Sequence, residues 1–223
     1  MKFRLLTAII IFSALSGVMT AQEDYFLPLH QYAQRNWRAV SGLAHDNVKS
    51  MYIDSSGFVW AGTIEGLTRL DGTSSKTFST RTHPRMQSNR VVSIDGFSSD
   101  TLFVATAMGI SKLTDGSFEK VIEESGLTGM TVTVNSRIYA SKENEILSIV
   151  KGEIKRLSIV NGMPDGSVGA IDSHNDTLFI GMSSGAVVSY DKGVFSGNLC
   201  GISSFPVTAL KADGTGVIFG NSA

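Results

Sequence analysis

Residues 54–72 read Asp54-Ser-Ser-Gly-Phe-Val-Trp-Ala-Gly-Thr-Ile-Glu-Gly-Leu-Thr-Arg-Leu-Asp-Gly72. The order is turn, strand, tight turn, strand, turn. Asp54 to Gly57 combines short polar side chains with a glycine free to take φ > 0. Phe58 to Thr63 is aromatic and β-branched, the composition strands favour. Glu65-Gly66 is a hairpin signal. Leu67 to Leu70 alternates apolar and polar, and Asp71-Gly72 closes the unit.

The same order recurs downstream. Trp60, Gly66 and Leu70 are answered by Phe103, Gly109 and Leu113, each 43 residues on. Arg137-Ile-Tyr-Ala140 follows Thr101-Leu-Phe-Val104 at a spacing of 36, with Glu145 at the hairpin glycine's place. Asp176-Thr-Leu-Phe-Ile-Gly181 nearly repeats Asp100-Thr-Leu-Phe-Val-Ala105, and Val207 to Gly220 gives two more strands around Asp213-Gly-Thr-Gly216. Units of about 40 residues, each with four short strands, cannot bury both faces of their sheets alone but can when stacked radially. The reading is all-β: a β-propeller of roughly 40-residue four-stranded blades, incomplete at about four and a half. The units are 41–81, 82–125, 126–160, 161–200 and 201–223, the third degenerate. Helical periodicity is lacking, and 123–126 is expected to form one helical turn at most. A parallel solenoid would need shorter rungs and fewer hairpins.

Lys2 and Arg4, then the apolar run Leu5 to Ala14 and small residues up to Ala21, read as a signal peptide over 1–21. The run is short for a membrane span of about 20 residues. The mature chain is therefore expected in the periplasm or secreted. Residues 22–40 form a lead-in, with Tyr25 to Leu29 a candidate edge strand.

The chain has 223 residues and a formal net charge of −1, which gives no general electrostatic reason to bind nucleic acid. Its single cysteine, Cys200, excludes an internal disulfide framework and reads as a small buried hydrophobe. No phosphate loop or dinucleotide fingerprint is present, and no cofactor is expected. Asp54-Ser-Ser-Gly57 and Asp213-Gly-Thr-Gly216 lack the ligand spacing of a calcium loop and read as hairpin turns. His30, His45, His83 and His174 have no metal-ligand spacing.

Unit one resembles the two-component regulator propeller family. The residues that carry this are Trp37, Gly42-Leu43, Asn47-Val48, Asp54, Gly57-Phe-Val-Trp60, Gly62-Thr63, Gly66-Leu67 and Arg69-Leu-Asp-Gly72. The pattern is partial in units two, four and five and mostly lost in unit three. The resemblance implies the periplasmic ligand-sensing domain of a hybrid histidine kinase or diguanylate cyclase, non-catalytic by itself. In that family more blades, a three-tyrosine domain, a membrane span and a cytoplasmic output domain usually follow. Because the last unit has two of four strands, a truncated chain is expected, joined to the membrane only through a missing C-terminal region. The alternative is a closed five-bladed ring in which 25–40 complete the last blade.

Repetition assigns Trp60, Phe103, Tyr139 and Phe179 to packing between blades. A site is expected instead on one axial face. There the loops that enter each first strand meet those that join the second and third. This register gathers His45, Asn47, Glu65, His83, Arg85, Arg90, Met108, Lys142 and Asp165, with the arginines suited to an anionic partner such as an acidic glycan. Expected partners are a small molecule or glycan and a second copy in a homodimer, with signalling through reoriented or dimerised attached domains. A secreted propeller lyase or hydrolase and a structural interaction platform are the other readings. The few carboxylates and scattered histidines on the face favour binding over catalysis.

Overall fold

A computed structural model describes residues 35–98, 101–197 and 205–221. The signal segment, the Tyr25–Leu29 strand, His30 and Cys200 lie outside these residues. The chain divides into 1–36 and 37–223, and every strand described belongs to the second unit.

Four consecutive antiparallel sheets of four strands are present. The first holds β1 (Val48–Ile53), β2 (Val59–Thr63), β3 (Gly66–Leu70) and β4 (Ser75–Phe78). The second holds β5 (Val91–Ser98), β6 (Thr101–Thr106), β7 (Gly109–Thr114) and β8 (Ser117–Glu123). The third holds β9 (Gly129–Val132), β10 (Ile138–Lys142), β11 (Glu145–Val150) and β12 (Glu153–Leu157). The fourth holds β13 (Val168–His174), β14 (Thr177–Met182), β15 (Val187–Asp191) and β16 (Val194–Ser196). A last pair, β17 (Val207–Ala212) and β18 (Val217–Asn221), makes half a blade. The first strands β1, β5, β9, β13 and β17 pack on one another in succession. The fold is a β-propeller. β17 and β1 do not pack as adjacent blades do among the described residues.

The opening motif is blade construction. Asp54 is buried at 5% exposure; its Oδ1 accepts from the Ser56 and Phe58 amides at 3.0 Å, and its Oδ2 accepts from Trp60 Nε1 at 2.8 Å. One carboxylate thus closes the β1–β2 turn and anchors the ring that starts the next interface. Gly57, at φ 84, supplies the left-handed backbone of that turn. Trp60 packs 5.6 Å from Phe78 in an apolar core shared by blades one and two, with Val91, Ile94, Leu102 and Phe118. Phe103 enters the equivalent core with Ile138 and Ile149, and Tyr139 the next with Leu178 and Tyr190. Phe179 faces only the half blade and stays half-buried.

Leu43, Met86 and Met163 each precede the opening valine of a first strand by five residues, and all are buried. One-turn 3-10 helices, Ala39–Ser41 and Ile159–Asn161, lead into two of them. Those are the helical turns of the described residues; 124–126 form none. Only 124–128 separate β8 from β9, too few for that buried plug. This shortening explains the spacing of 36 and the weak motif of unit three, which still makes a full blade. Its hairpin places the left-handed residue at Glu143, φ 47, in the absence of the glycine.

A polar position recurs on the first strands, opposite the aromatic ring position: Tyr52 faces Trp60, Asp95 faces Phe103, Thr131 faces Tyr139 and Asp172 faces Phe179. Three of these side chains reach forward to the backbone of the next blade. Tyr52 OH donates to Gly96 O at 2.9 Å, Asp95 Oδ2 accepts from Val132 N at 2.7 Å, and Asp172 Oδ2 accepts from Ala212 N at 2.8 Å.

Candidate functional site on the axial face

The loops that enter the first strands lie against the β2–β3-type hairpins. Ala107 N donates to Arg90 O (2.9 Å), Val168 N to Glu143 O (2.7 Å) and Ser183 N to Ser167 O (2.8 Å). The shared face expected from the repeat therefore exists. The predicted residues do not converge on one point of it.

Two cavities hold those that line a concave surface. One, of about 470 Å³, is walled by Arg90, Lys49, the backbone of Val91 to Val92, Ala107 and Gly126 to Thr128. The other, of about 630 Å³, is walled by Arg85, Met108, Gln87, Glu119, Lys120 and Glu123. The arginine pair is thus split. Lys120 and Glu123 neutralise one another at 2.7 Å, and the hydrogen bond and charge of Lys120 hold Glu123 below the usual carboxylate range. Gln87 Nε2 clamps the carbonyls of Ile110 and Ile122 at 2.8 and 2.9 Å. The second cavity is therefore near charge balance, whereas the first presents two exposed cations, neither in an ion pair among the described residues.

The remaining expected residues are used otherwise. His83 is half-buried, its ring 4.9 Å from Phe78 and 5.7 Å from Phe118, where it helps seal the interface between blades one and two. Lys142 Nζ lies 2.5 Å from Glu124, which also takes Arg156 at 2.8 Å. The Lys142 hydrogen bond holds the Glu124 carboxyl below its ordinary value against burial. Lys142 thus ties blade three to the loop after blade two. His45 Nδ1 accepts from Asn47 N, and Asp165 Oδ1 from Gly166 N, so both shape their own turns. Glu65 is exposed at its hairpin tip, its amide held by Thr63 Oγ1.

Lys49 was not among the expected residues. It sits at a register shift in β1, between Val48 and Ser50. The same shift occurs in β5, β13 and β17. A bulge there breaks strict alternation and re-aims one side chain at the rim. The recurrence of a residue one place after each opening valine was the available signal.

Asp71 and Asp213 spend their carboxylates on their own turns. Asp213 Oδ1, for example, accepts from Thr215 N at 2.7 Å and Gly216 N at 3.0 Å. Their side-chain hydrogen bonds, to Ser74 and Thr215 respectively, lower both acids.

These features define a β-propeller. Residues 42–65 match the family model for the two component regulator propeller, a stretch that holds part of the pattern carrying the resemblance, from Gly42 to Thr63. The extracellular domain of a protein from B. thetaiotaomicron described as a hybrid two component system superposes with a TM-score of 0.63 at 19% identity, over 84% of this chain and 29% of its own. A second extracellular domain from that organism, described as a one component system, gives 0.63 at 17% identity, over 79% and 26%. Virginiamycin B lyase from Staphylococcus aureus, in complex with quinupristin, also gives 0.63, at 16% identity over 79% and 64%. At these identities the likeness is one of fold. The chain spans less than a third of the length of the two extracellular domains. A comparison with curated proteins returned no match.

Proposed function

We propose that this propeller is the extracytoplasmic ligand-binding module of a bacterial sensor and is not itself catalytic. The match of residues 42–65 to the two component regulator propeller carries the reading. The extracellular standing of the two B. thetaiotaomicron neighbours supports its compartment. The ligand is an anionic small molecule or acidic glycan, held by Lys49 and Arg90 at the mouth between blades one, two and three. Transmission would need attached domains whose orientation or dimerisation differs between free and bound states.

The test is calorimetric titration with a panel of acidic and neutral oligosaccharides, with mass spectrometry of each mixture afterwards. The expected result is saturable binding of an acidic member, weakened at least about tenfold (1.4 kcal/mol) in Lys49→Ala/Arg90→Ala, with the sugar recovered intact. Binding that the double variant leaves unchanged overturns the site. Turnover of the sugar overturns the non-catalytic reading in favour of a propeller lyase or hydrolase.

A further inference from the structure

The repeat supplies its own control for a second site, beside the loops that join first to second and third to fourth strands. Blades two and three meet there over a cavity of about 370 Å³ whose floor includes Phe103 and Ile149. Blades three and four meet over an equivalent cavity of about 350 Å³. Tyr139 stands where Phe103 stood, and Tyr190 where Ile149 stood, by the strand pairing Ile138↔Ile149 and Leu178↔Tyr190. Both tyrosines are at least 95% buried, and their rings meet edge to face at 6.3 Å. Packing alone is satisfied by Phe and Ile at these positions, as the neighbouring cavity shows. Two hydroxyls have been added, that of Tyr139 in a hydrogen bond with Ser148.

The walls add charge. Arg137, Lys155 and Lys192 line the cavity together with Asp176 and Asp191. None of the three cations is in an ion pair among the described residues, and Asp176 already accepts from the Asn135 amide. Arg137 and Tyr139, two residues apart on one strand edge, share a face, and Arg137 Nη1 donates to Ser148 Oγ at 3.2 Å. That bond leaves the rest of the guanidinium fork unspent. Cations in excess, beside phenol O–H donors in a recess, are the donor set an oxyanion requires. The volume is at the low end of ligand pockets, about 300–1,000 Å³, and fits a small molecule rather than a polymer.

We infer that the cleft between blades three and four binds a small carboxylate- or sulfate-bearing molecule through Arg137, Lys155 and Lys192, with the Tyr190 hydroxyl as an orienting donor and Tyr139, bonded to Ser148, as its support. This site is separate from the Lys49–Arg90 mouth and does not depend on it.

The probes are sodium sulfate and sodium citrate, with sodium chloride at matched ionic strength and glucose as the uncharged control. Binding is read by calorimetry and by NMR of labelled tyrosines. The expected result is saturable binding of sulfate or citrate, with tyrosine shifts, and none by chloride or glucose. Lys155→Ala/Lys192→Ala weakens it at least tenfold. Tyr139→Phe/Tyr190→Phe, which removes both hydroxyls and keeps both rings, weakens it several-fold and keeps the fold. Lys49→Ala/Arg90→Ala retains it, which separates this site from the axial one. Absence of saturable binding of either anion by the unaltered protein overturns the inference. So does binding that survives the lysine pair, or that disappears with Lys49 and Arg90.

Discussion

Removal of the Asp54 carboxylate tests the claim that the signature motif is architecture. Asp54→Ala deprives three donors of their acceptor: the Ser56 and Phe58 amides and the Trp60 indole N–H. Ser56 is exposed and Phe58 half-buried, so water replaces much of that loss. Trp60 is 5% exposed, and its N–H has no such recourse. A buried donor left unmade costs about 1–3 kcal/mol, and two partly rehydrated turn bonds add about 0.5–1 kcal/mol each. The sum is a loss of about 2–5 kcal/mol in urea unfolding followed by circular dichroism. Trp60→Phe removes the orphan donor itself. In that background Asp54→Ala loses only the turn contribution, so the double-mutant cycle reports a coupling of about 1–3 kcal/mol. A coupling within about 0.3 kcal/mol of zero refutes the assignment, because it means the indole bond contributes nothing to the folded blade.

Other outcomes follow from the same packing. A Cβ on Gly169 would stand 2.0 Å from the carbonyl of Val207, so Gly169→Ala must shift backbone of the half blade; we expect a loss of about 1–3 kcal/mol by urea titration and faster amide exchange in β17. Glu124→Gln loses charge partners on Lys142 and on half-exposed Arg156, and after screening we expect about 0.5–1 kcal/mol, fading in high salt. Asp95 is held above its ordinary value of 3.8, first by burial and last by the charge of Asp172, against hydrogen bonds from Val132, Gly96 and Thr131. The folded chain therefore keeps this proton longer than the unfolded chain does. The contribution is greatest below 3.8 and falls as pH rises through the raised value; Asp95→Asn removes that slope, and urea midpoints that run parallel for the two proteins across the window contradict it.

Much of the fold was legible because the blade is written in local chemistry. Turn glycines, period-two strands and recurring aromatics each name their element without reference to distant partners. In unit one the strand bounds moved by a single residue, β2 beginning at Val59 and β3 at Gly66. The third blade was readable only as a degenerate copy, because the loop that carries the buried plug is shortened to 124–128 in it. The site was less legible. Placement on a face follows from topology, and the face was found. Whether a side chain on it is spent on the fold depends on neighbours a blade away. His83 looked available until Phe118 of the next blade covered its ring, and Lys142 until Glu124 took its charge. Lys49 was hidden for a different reason: the bulge in β1 breaks the alternation by which its direction would be read.

The three first-strand side chains that reach backbone of a neighbouring blade all point the same way. Tyr52 reaches blade two, Asp95 blade three and Asp172 the half blade, each seizing backbone of its successor. Such a relay has polarity. Blades one, two and four each hold backbone of the blade that follows, whereas Thr131 of blade three reaches back to Asp95 Oδ2 and across to Ser173 Oγ. During synthesis each sheet emerges onto a template already set, so assembly advances like a zip with one slider. Loss of order should run the other way, with the last-joined sheet released first and the hold on Trp60 released late. A nearest-neighbour description, in which each interface has its own strength, is then the natural thermodynamics of this chain.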